Sequence, residues 1–595
     1  MQESDNGIGY KHLVTTAIKE TWPDSGEMIM LGSWCLRYSL ESDWGLRNYT
    51  VLQHPWDTRS KISADLEYID FVYEELLSGL SLKLNEIHRI SRSKRYWRIV
   101  VGPWLYLFTQ VVYERWMMIS LASSQHSGLV LNRLTSAICD KPPIDMADFR
   151  NLVVTDDWNE VICADIVELL GDIEVNHLPM LAQQFTRVNS PEKQRVTRSV
   201  YRNTTRALDN IRRWLGITKL RYFLYMEYLR PLPKLKFALI TGTFPILNAR
   251  SRQTPDVTVS ERKWVITTEI ADAFSTLMTS LIPTHLPSDY LESFAKFSKE
   301  VSSPKWFLAR AEVLVTANAF DSDDAWKIWA AGQVEQGSKL VIAQHGGHYG
   351  TGAWSAPQNH EIAIADRYLS WGWKDANHRN VVPAPATKLI GLGSSPRITG
   401  ESCLSALAVL PRYSYWVYSV PIAHQYELYL QNQEKFISRL SPNIRTLFEL
   451  RLTQDDFGWD LRQRFRDFDR ALKIDEGKGN FHRKLKESKL FVATYNATTF
   501  LESFTLGVPT VMHWDPNFWE LCGEAEPFYE LLRDAGVLFS DPELCAQHVN
   551  EIWTNVPGWW KSKKVKNAIN IFTNEYAYVG DRPLRELKSR ISELR

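Results

Sequence analysis

Residues 490–516 read LFVATYNATTFLESFTLGVPTVMHWDP, a stretch that combines two apolar strands with a helix between them. The first strand is expected at Leu490–Thr494, and a helix is expected to begin at about residue 498. Gly507 and Pro509 then turn the chain into a second strand, Thr510–His513. Strands that alternate with helices in this way are typical of parallel sheets with right-handed crossovers. The stretch therefore predicts an α/β fold.

The same alternation extends over most of the chain. Further strands are predicted at Met28–Leu31, Tyr49–Leu52, Leu235–Thr241, Glu312–Thr316, Leu340–Ala343, Leu407–Leu410 and Val417–Val420. Between residues 60 and 235, apolar side chains recur every three or four positions, which is the helix period. A chain of 595 residues is too long for one hydrophobic core. We therefore predict two Rossmann-like domains: residues 1–390, with a large helical insertion at about 60–235, and residues 391–595, with a hinge near 385–400.

Composition and charge exclude several classes of protein. The chain holds 69 basic and 69 acidic residues, so its net charge is zero and no overall field attracts nucleic acid. Its six cysteines are scattered without a C-x-x-C pair, which argues against a disulfide framework or a zinc cluster. The longest apolar stretch, Ile99–Tyr113, is shorter than a bilayer span and predicts a buried helix. The N-terminus carries no signal-peptide pattern, so a cytoplasmic location is expected.

The helix start after the first quoted strand is one candidate binding site. A helix that begins at Ala497-Thr498-Thr499 offers free backbone N–H groups to an anion, and the threonine hydroxyls add donors. Glu502, close to the first turn, suits the hydroxyls of a ribose. His513 ends the next strand and is expected at the same edge of the cleft. A plain helix cap by Asn496 or a threonine accounts for the same residues without a ligand, and this alternative stays open.

A glycine-rich loop is the second candidate. Residues 341–352 read VIAQHGGHYGTG, an apolar strand followed at once by polar residues and glycines. His345 is well placed as a general base, because imidazole titrates near neutral pH and can accept the proton of a hydroxyl. Glu361 is the alternative base, and a structural turn with a solvated histidine is the alternative without chemistry. The remaining cleft-lining candidates of the loop are Gln344, Gly346, Gly347 and His348.

Both segments resemble known transferases. The stretch around the helix start is similar to the donor-binding segment of glycosyltransferase-B enzymes, where hydroxyl residues begin a helix, a glutamate follows and Gly-x-Pro precedes a strand. The resemblance implies that the phosphate and ribose of a nucleotide-sugar contact Asn496, Thr498, Thr499 and Glu502. Residues Gln344–Trp373 resemble the Kdo and glycerol-phosphate polymerising transferases. In the latter a loop histidine acts as base, which supports His345.

Segments nearer the N-terminus bring the resemblance closer. Leu13–Ala17, Leu31–Cys35 and Arg95–Leu105 resemble a transferase family encoded in bacterial O-antigen loci, and the likeness covers nearly the whole chain. It implies a surface-polysaccharide pathway, with acidic nine-carbon sugars carried on CMP among the expected donors. In similar transferases the linker after the first domain approaches the donor phosphate, which here implies Ser394 and Ser395.

An arginine and an aspartate cluster complete the set of candidates. Arg412 follows a predicted strand and is expected to pair with phosphate, because a guanidinium can bind phosphate through two hydrogen bonds. Asp321-Ser-Asp-Asp matches the D-x-D motif of metal-dependent transferases. It directly precedes a predicted helix, however, where aspartates cap and complement the helix dipole. Because there is no second carboxylate cluster, neither a metal nor a cofactor is expected.

The sequence thus predicts a metal-independent glycosyltransferase, which moves a sugar from a nucleotide-sugar donor to a glycan or lipid-linked glycan acceptor in O-antigen lipopolysaccharide or another surface polysaccharide. Two alternatives stay open: a phosphotransferase that uses CDP-glycerol or CDP-ribitol, and a non-catalytic scaffold of a polysaccharide assembly complex. Trp559 and Trp560 adjoin Lys561. This pattern suits either peripheral contact with the inner membrane or a buried aromatic pair beside solvated lysines.

Overall fold

The strands of the chain form three sheets. The computed structural model describes residues 11–135, 141–179, 219–243, 261–302, 310–393 and 400–594. Within these ranges every pair of neighbouring strands runs parallel, which confirms the predicted α/β class. One sheet more than the sequence analysis predicted is present, and it lies at the N-terminal end of the chain.

The first sheet has five strands in the order β3-β2-β1-β4-β5, the order of a doubly wound Rossmann-like sheet. Its strands are β1 Lys11–Val14, β2 Glu27–Met30, β3 Tyr49–Val51, β4 Leu129–Thr135 and β5 Glu174–Pro179. Its helices are α1 Glu41–Trp44, α2 Arg59–His88, α3 Lys94–Val100, α4 Gly102–Gln125, α5 Met146–Leu152 and α6 Asp156–Leu170. Leu13 pairs with Ile29 on one side and Leu131 on the other, so buried aliphatic side chains align across the sheet.

The second sheet has five strands that follow one another in chain order, from β6 at one edge to β10 at the other. Its strands are β6 Lys219–Leu224, β7 Arg310–Thr316, β8 Lys339–Ala343, β9 Arg367–Ser370 and β10 Val381–Pro383. The helices of this part are α7 Pro231–Thr241, α8 Ala273–His285, α9 Phe294–Val301, α10 Ala319–Ser322, α11 Asp324–Glu335 and α12 Ala356–Ile364. Asp323 caps α11 by accepting from the backbone of Trp326 at 3.0 Å, as predicted for the aspartate cluster.

The third sheet has six strands in the order β13-β12-β11-β14-β15-β16. Its strands are β11 Ser402–Ala406, β12 Phe448–Arg451, β13 Lys473–Asp475, β14 Ser488–Ala493, β15 Thr510–His513 and β16 Leu538–Phe539. Its helices are α13 Gln425–Arg439, α14 Pro442–Arg445, α15 Leu461–Phe468, α16 Phe481–Lys486, α17 Thr498–Leu506, α18 Glu526–Asp534, α19 Pro542–Ile552, α20 Val556–Trp560, α21 Lys563–Tyr576 and α22 Pro583–Ser592. Gly507, at a φ of 72°, ends α17 in the left-handed conformation that glycine adopts without strain.

The range 60–235 is not a helical insertion in one domain. It contains the long helices that were expected, but also β4 and β5, which complete the first sheet, and β6, which is an edge of the second. The helices α2 to α4 are therefore the crossover that carries the chain from β3 to β4. Strands of a few residues leave little periodicity in a sequence, and their partners depend on tertiary packing.

Three further predictions about strands differ from the structure. Leu235–Thr241 belongs to helix α7, which has a proline at its first position and ends at Gly242 with a φ of 67°. Leu407–Leu410 lies just beyond β11, and Val417–Val420 forms no strand in the part of the chain described. The remaining predicted strands match observed ones to within two residues at each end.

Polar contacts between buried and half-buried side chains connect the first and third sheets. Arg412, after β11, is ion-paired with Asp156 at the start of α6. Arg115 in α4 donates to the Ser414 hydroxyl at 2.7 Å and to the Asn159 side chain at 2.8 Å. Because an unpaired buried charge is costly, these partners fix the relative position of the two sheets.

The last helix returns to the second sheet. Leu587 and Ile591 of α22 belong to a core cluster with Val313 and Val341, and Tyr222 bonds Ser592 at 2.7 Å. Among the helices of the described ranges, none has both the length and the apolar character needed to cross a bilayer.

Candidate active site between the second and third sheets

The glycine loop after β8 touches the start of helix α17. The backbone N–H of Gly347 donates to Oγ1 of Thr498 at 3.1 Å. A Cβ placed on Gly347 would lie 2.7 Å from the carbonyl carbon and oxygen of Ala497, so the two backbones are in contact. The structure thus brings together the two segments that the sequence analysis singled out, at the carboxyl ends of β8 and β14. Open α/β sheets bind ligands at this edge.

Gln344 holds the loop in its shape. Its side chain donates to the carbonyl of Gly346 at 2.7 Å. Its Oε1 accepts from the backbone of Trp371 and from the indole of Trp373, both at 2.8 Å. The side chain is buried and fully engaged, so its role is to position the loop rather than to contact a substrate.

His345 is a partly exposed member of the loop. Its side chain keeps 28% of its surface exposed, and Nδ1 lies 3.6 Å from Oε1 of Glu361. Nε2 lies 3.2 Å from the hydroxyl of Tyr349. Desolvation, with repulsion from neighbouring positive charges, lowers the pKa of His345 to about 3. The imidazole is therefore neutral at physiological pH and can accept a proton, but it is a weaker base than the ordinary imidazole that the sequence analysis expected.

Glu361, in α12, is buried beside this imidazole. Burial raises the pKa of its carboxyl well above the ordinary value. The hydroxyls of Tyr349 and Tyr368 oppose that shift, yet among the described residues neither carboxyl oxygen forms a hydrogen bond of good geometry. The protonated form is favoured, so Glu361 is less suited than His345 to accept a proton.

Asn496 and Thr499 lie at the start of α17. Nδ2 of Asn496 donates to Oγ1 of Thr351 at 3.2 Å, and its Oδ1 accepts from Tyr529 at 2.7 Å. Because Thr351 belongs to the glycine loop, Asn496 connects the two segments a second time. Oγ1 of Thr499 is buried and forms no hydrogen bond of good geometry within the described ranges. An unsatisfied polar atom at this position is compatible with a binding site that lacks its ligand.

Glu502 is buried in α17 and joins the two sheets electrostatically. Oε1 lies 3.6 Å from Nζ of Lys388, which follows β10, and Oε2 lies 3.3 Å from Nε2 of His482 in α16. The carboxylate therefore already has two partners. A ribose hydroxyl would have to share it with them.

A cavity of about 470 Å³ lies between the second and third sheets on the His482 side of Glu502. Arg230 from the second sheet lies 3.1 Å from Nδ1 of His482, which shows how close the two sides are. The lining consists of Arg230, Leu392, Asn480, His482, Arg483, Lys486, Glu487 and Leu506. Arg483 is ion-paired with Glu487, so Arg230 and Lys486 are the cationic side chains that suit a ligand with a phosphate.

Three predicted site residues do not contribute as expected. Arg412 is buried, paired with Asp156 and bonded to the carbonyl of Gly458 at 3.2 Å, so its charge is already neutralised and it is not free for phosphate. His513 is buried with its ring stacked on Phe436 at 4.9 Å, in the core rather than at a cleft. The ring of His348 packs at 4.0 Å from that of Tyr349, and burial lowers its pKa to about 4. The predicted donor contacts Ser394 and Ser395 lie outside the described residues.

The structure adds neighbours that the sequence analysis missed. Tyr228, just after β6, has its ring 6.3 Å from that of His345 and 5.9 Å from Nζ of Lys388. Arg150 in α5 is ion-paired with Asp321, and its charge contributes to the lowered pKa of His345. The helix that carries Arg150 belongs to the first sheet, so all three sheets surround the crevice. No motif marks these residues in the sequence, because their relevance depends on packing alone.

No group of three or more histidine, cysteine, aspartate or glutamate side chains with the spacing of a metal site occurs among the residues the structure describes. The aspartate cluster at 321–324 is used instead for capping and for the pair with Arg150.

Comparisons with known proteins identify one match over nearly the whole chain. The sequence model described as "LIC12162 family transferase" matches residues 11–591. No curated protein matches. Three solved structures show distant likeness. WaaG, a glycosyltransferase involved in lipopolysaccharide biosynthesis, is 10% identical with a TM-score of 0.30 over 51% of this chain and 95% of its own. HepE of Anabaena, in complex with UDP and glucose, is 13% identical with a TM-score of 0.32 over 54% and 89%. The wall teichoic acid polymerase TagF is 9% identical with a TM-score of 0.27 over 50% and 84%.

Proposed function

The chain belongs to the LIC12162 family of transferases, and from this premise we propose that it is a metal-independent glycosyltransferase that uses a nucleotide-sugar donor. The observation that carries the proposal is the contact of Gly347 with Thr498, at 3.1 Å. This contact brings together a neutral, partly exposed histidine and a helix start that suits an anion. Transfer from an activated donor needs both a base for the acceptor and stabilisation for the leaving phosphate.

The donor phosphate is proposed to bind at the start of α17. Backbone N–H groups in the first turn of a helix attract anions, and Oγ1 of Thr499 is an additional, unsatisfied donor. The cationic cavity beside His482 then accommodates the rest of the nucleotide. As the glycosidic bond breaks, negative charge grows on the leaving phosphate. Fixed donors that face this charge lower the barrier without further reorganisation.

The acceptor hydroxyl is proposed to lose its proton to His345. The proton is taken up at Nε2, where the acceptor hydroxyl replaces the hydroxyl of Tyr349 that lies 3.2 Å away, whereas Nδ1 is buried against Glu361. Glu361 favours its protonated, neutral form, so its carboxyl group is a neutral neighbour of Nδ1 at 3.6 Å and not a counter-charge. His345 is the proposed base.

The identity of the donor sugar and of the acceptor is proposed from the sequence resemblance. We infer a donor sugar that is acidic and carried on CMP, and an acceptor that is a glycan or lipid-linked precursor of O-antigen or another surface polysaccharide. The basic cavity supports an anionic donor, because its cationic side chains offer several partners to phosphate or carboxylate.

A nucleotide-binding panel and product analysis test the proposal. Binding of CMP, CDP, UDP and GDP is measured first, and transfer is then assayed in EDTA with the nucleotide-sugar of the base that binds. His345→Ala should retain nucleotide affinity and lose transfer by about 100-fold or more. His378→Ala is the control, since that exposed histidine pairs with Asp375 outside the site.

Each outcome is decisive. Failure to bind any nucleotide would favour a non-catalytic scaffold. A new phosphodiester bond in the product would identify an alditol phosphotransferase instead. Unchanged transfer by His345→Ala would show that His345 is not the general base. Loss of transfer in EDTA would contradict a metal-independent reaction.

A further inference from the structure

Helix α7 turns an apolar face toward solvent. Six of the sixteen large hydrophobic side chains that are exposed in the described residues fall between Met226 and Ile240. Leu232, Leu235 and Leu239 are 72%, 53% and 76% exposed. Exposed leucines that occur singly are normal, but a contiguous group on one helix marks an interaction surface. We call Leu232, Leu235, Leu239 and Ile240 the α7 apolar face.

The opposite side of α7 anchors the helix to the protein. Phe237 is buried in the core cluster that includes Leu587 and Ile591 of α22, and Nζ of Lys588 donates to the carbonyl of Ile240 at 2.6 Å. The leucines at positions 232, 235 and 239 recur at three and four residues, so they project from one side of the helix. The helix that carries the α7 apolar face is therefore packed against the rest of the protein.

The charged residues of helix α7 itself are all basic. Between residues 228 and 243 the sequence contains Arg230, Lys234 and Lys236 and no acidic residue, although the whole chain has no net charge. Lys234 turns back to Glu227 at 2.9 Å, whereas Lys236 is exposed beside the leucines. Leucines flanked by cations are the composition of helices that lie in the interface of an anionic bilayer.

We propose that the α7 apolar face docks on an anionic lipid surface, with the leucines among the acyl chains and Lys236 at the headgroups. A second copy of the chain fits less well. A two-fold contact places the same patch opposite itself, which would bring Lys236 of each copy together with no carboxylate between them. Lysine beside leucine is instead stable at a membrane surface, because its stem lies on the apolar layer while the ammonium remains among the headgroups.

Helix α7 lies next to the cavity between the second and third sheets. Arg230, directly before the helix, lines the cationic cavity and lies 3.1 Å from His482. A bilayer held against the leucines would therefore lie next to the opening of the crevice. Trp559 and Trp560, which the sequence offered as a membrane contact, are engaged elsewhere: Trp560 donates to the carbonyl of Gly507 at 3.2 Å, and Trp559 packs on His548 at 5.5 Å.

Vesicle flotation tests the proposal with the full chain. Wild-type protein is mixed with vesicles of phosphatidylcholine alone or with phosphatidylglycerol added. We expect binding to the anionic vesicles and weaker binding to the neutral ones. The double substitution Leu232→Glu with Leu239→Glu should weaken binding by about tenfold or more, because two leucines no longer enter the apolar layer. Leu82→Glu is the matched control, since Leu82 is 73% exposed in α2, away from this face.

Several results would overturn the proposal. These are absence of wild-type binding to either vesicle, equal binding by the double variant, or equal loss in the Leu82 control. A lipid-free dimer, seen by sedimentation and abolished by the double substitution, would assign the face to a second copy. Melting curves check that each variant is folded. The flotation assay needs neither donor nor acceptor, so its outcome is independent of the proposed reaction.

Discussion

Replacing Gly347 by alanine tests whether the crevice depends on close contact between the glycine loop and α17. The added Cβ would lie 2.7 Å from the carbonyl carbon and oxygen of Ala497 and 2.8 Å from Cδ1 of Leu501. Non-bonded carbon atoms normally approach to about 3.5 Å, so one segment must retreat by roughly 0.8 Å. The same retreat stretches the 3.1 Å bond from Gly347 to Thr498 beyond hydrogen-bond range.

The free-energy cost of the Gly347→Ala substitution has two contributions. Overpacking against a backbone costs about 1 to 3 kcal/mol, and the lost hydrogen bond adds about 1 kcal/mol. When this cost falls on the arrangement that performs transfer, a total of about 2 to 4 kcal/mol corresponds to a roughly 30- to 1000-fold loss in kcat/KM.

Initial rates of transfer measure the effect, with calorimetry for nucleotide affinity and a melting curve to check folding. Gly346→Ala is the matched control. Its Cβ would meet only side-chain atoms, 3.0 Å away in Tyr349 and 3.3 Å away in His348, and these can turn aside. We expect the control to lose less than about tenfold. Wild-type kcat/KM in Gly347→Ala, or a greater loss in Gly346→Ala, would refute the reasoning.

Two other predictions follow from the site and its surroundings. The pKa of His345 is lowered to about 3, so its neutral form persists as the pH falls. We therefore expect kcat/KM to stay level from pH 8 to about pH 5. A decline centred near the ordinary histidine pKa of about 6.5 would contradict this expectation. Asp156→Ala leaves Arg412 buried without its counter-charge and should lower the free energy of unfolding by about 3 kcal/mol, measured with a denaturant. The neighbouring Asp157→Ala should lower it far less, because burial and repulsion from Asp156 already raise the pKa of Asp157 to about 6.

The elements around the crevice could be predicted because local sequence determines them. The apolar run before Tyr495 gives β14, hydroxyl residues begin α17, and the strand Thr510–His513 matches the prediction at both ends. The glycine loop was also recognisable, because polar residues and glycines follow an apolar strand directly. That the two segments share a cleft follows from the predicted two-domain architecture, whereas their direct contact was not predicted.

Helix α7 shows why other elements could not be predicted. Residues 234–237 alternate as Lys-Leu-Lys-Phe, which is the period of a half-buried strand. The helical period is hidden because the solvent side of α7 is itself apolar, so exposed and buried leucines look alike in the sequence. The apolar solvent side of α7 therefore explains why the helix was predicted as a strand, and it also makes the helix a candidate docking surface.

Arg412 illustrates a second limit. A guanidinium after a strand was expected to face phosphate, but its carboxylate partner, Asp156, lies 256 positions earlier and belongs to another sheet. His513 similarly ends its strand as predicted, yet stacks on Phe436 from α13. Spacing within a motif cannot reveal such partners, because they are chosen by the packing of whole sheets.

The hinge near 385–400 stays a prediction, since residues 394–399 lie outside the described ranges. Contacts between the sheets bear on how far such a hinge can move. Helices of the first sheet are paired to the third through Asp156 and Arg412, and to the second through Arg95 and Asp366. Movement of the second sheet away from the third would strain these pairs, and Arg412, which is buried, would lose the charge that neutralises it. The glycine loop already touches α17, so little closing motion remains. The first sheet therefore holds the second and third sheets in position. Although Asp156 takes no part in the proposed reaction, its loss should lower the rate of transfer, because the two sides of the site would no longer be held at the right distance.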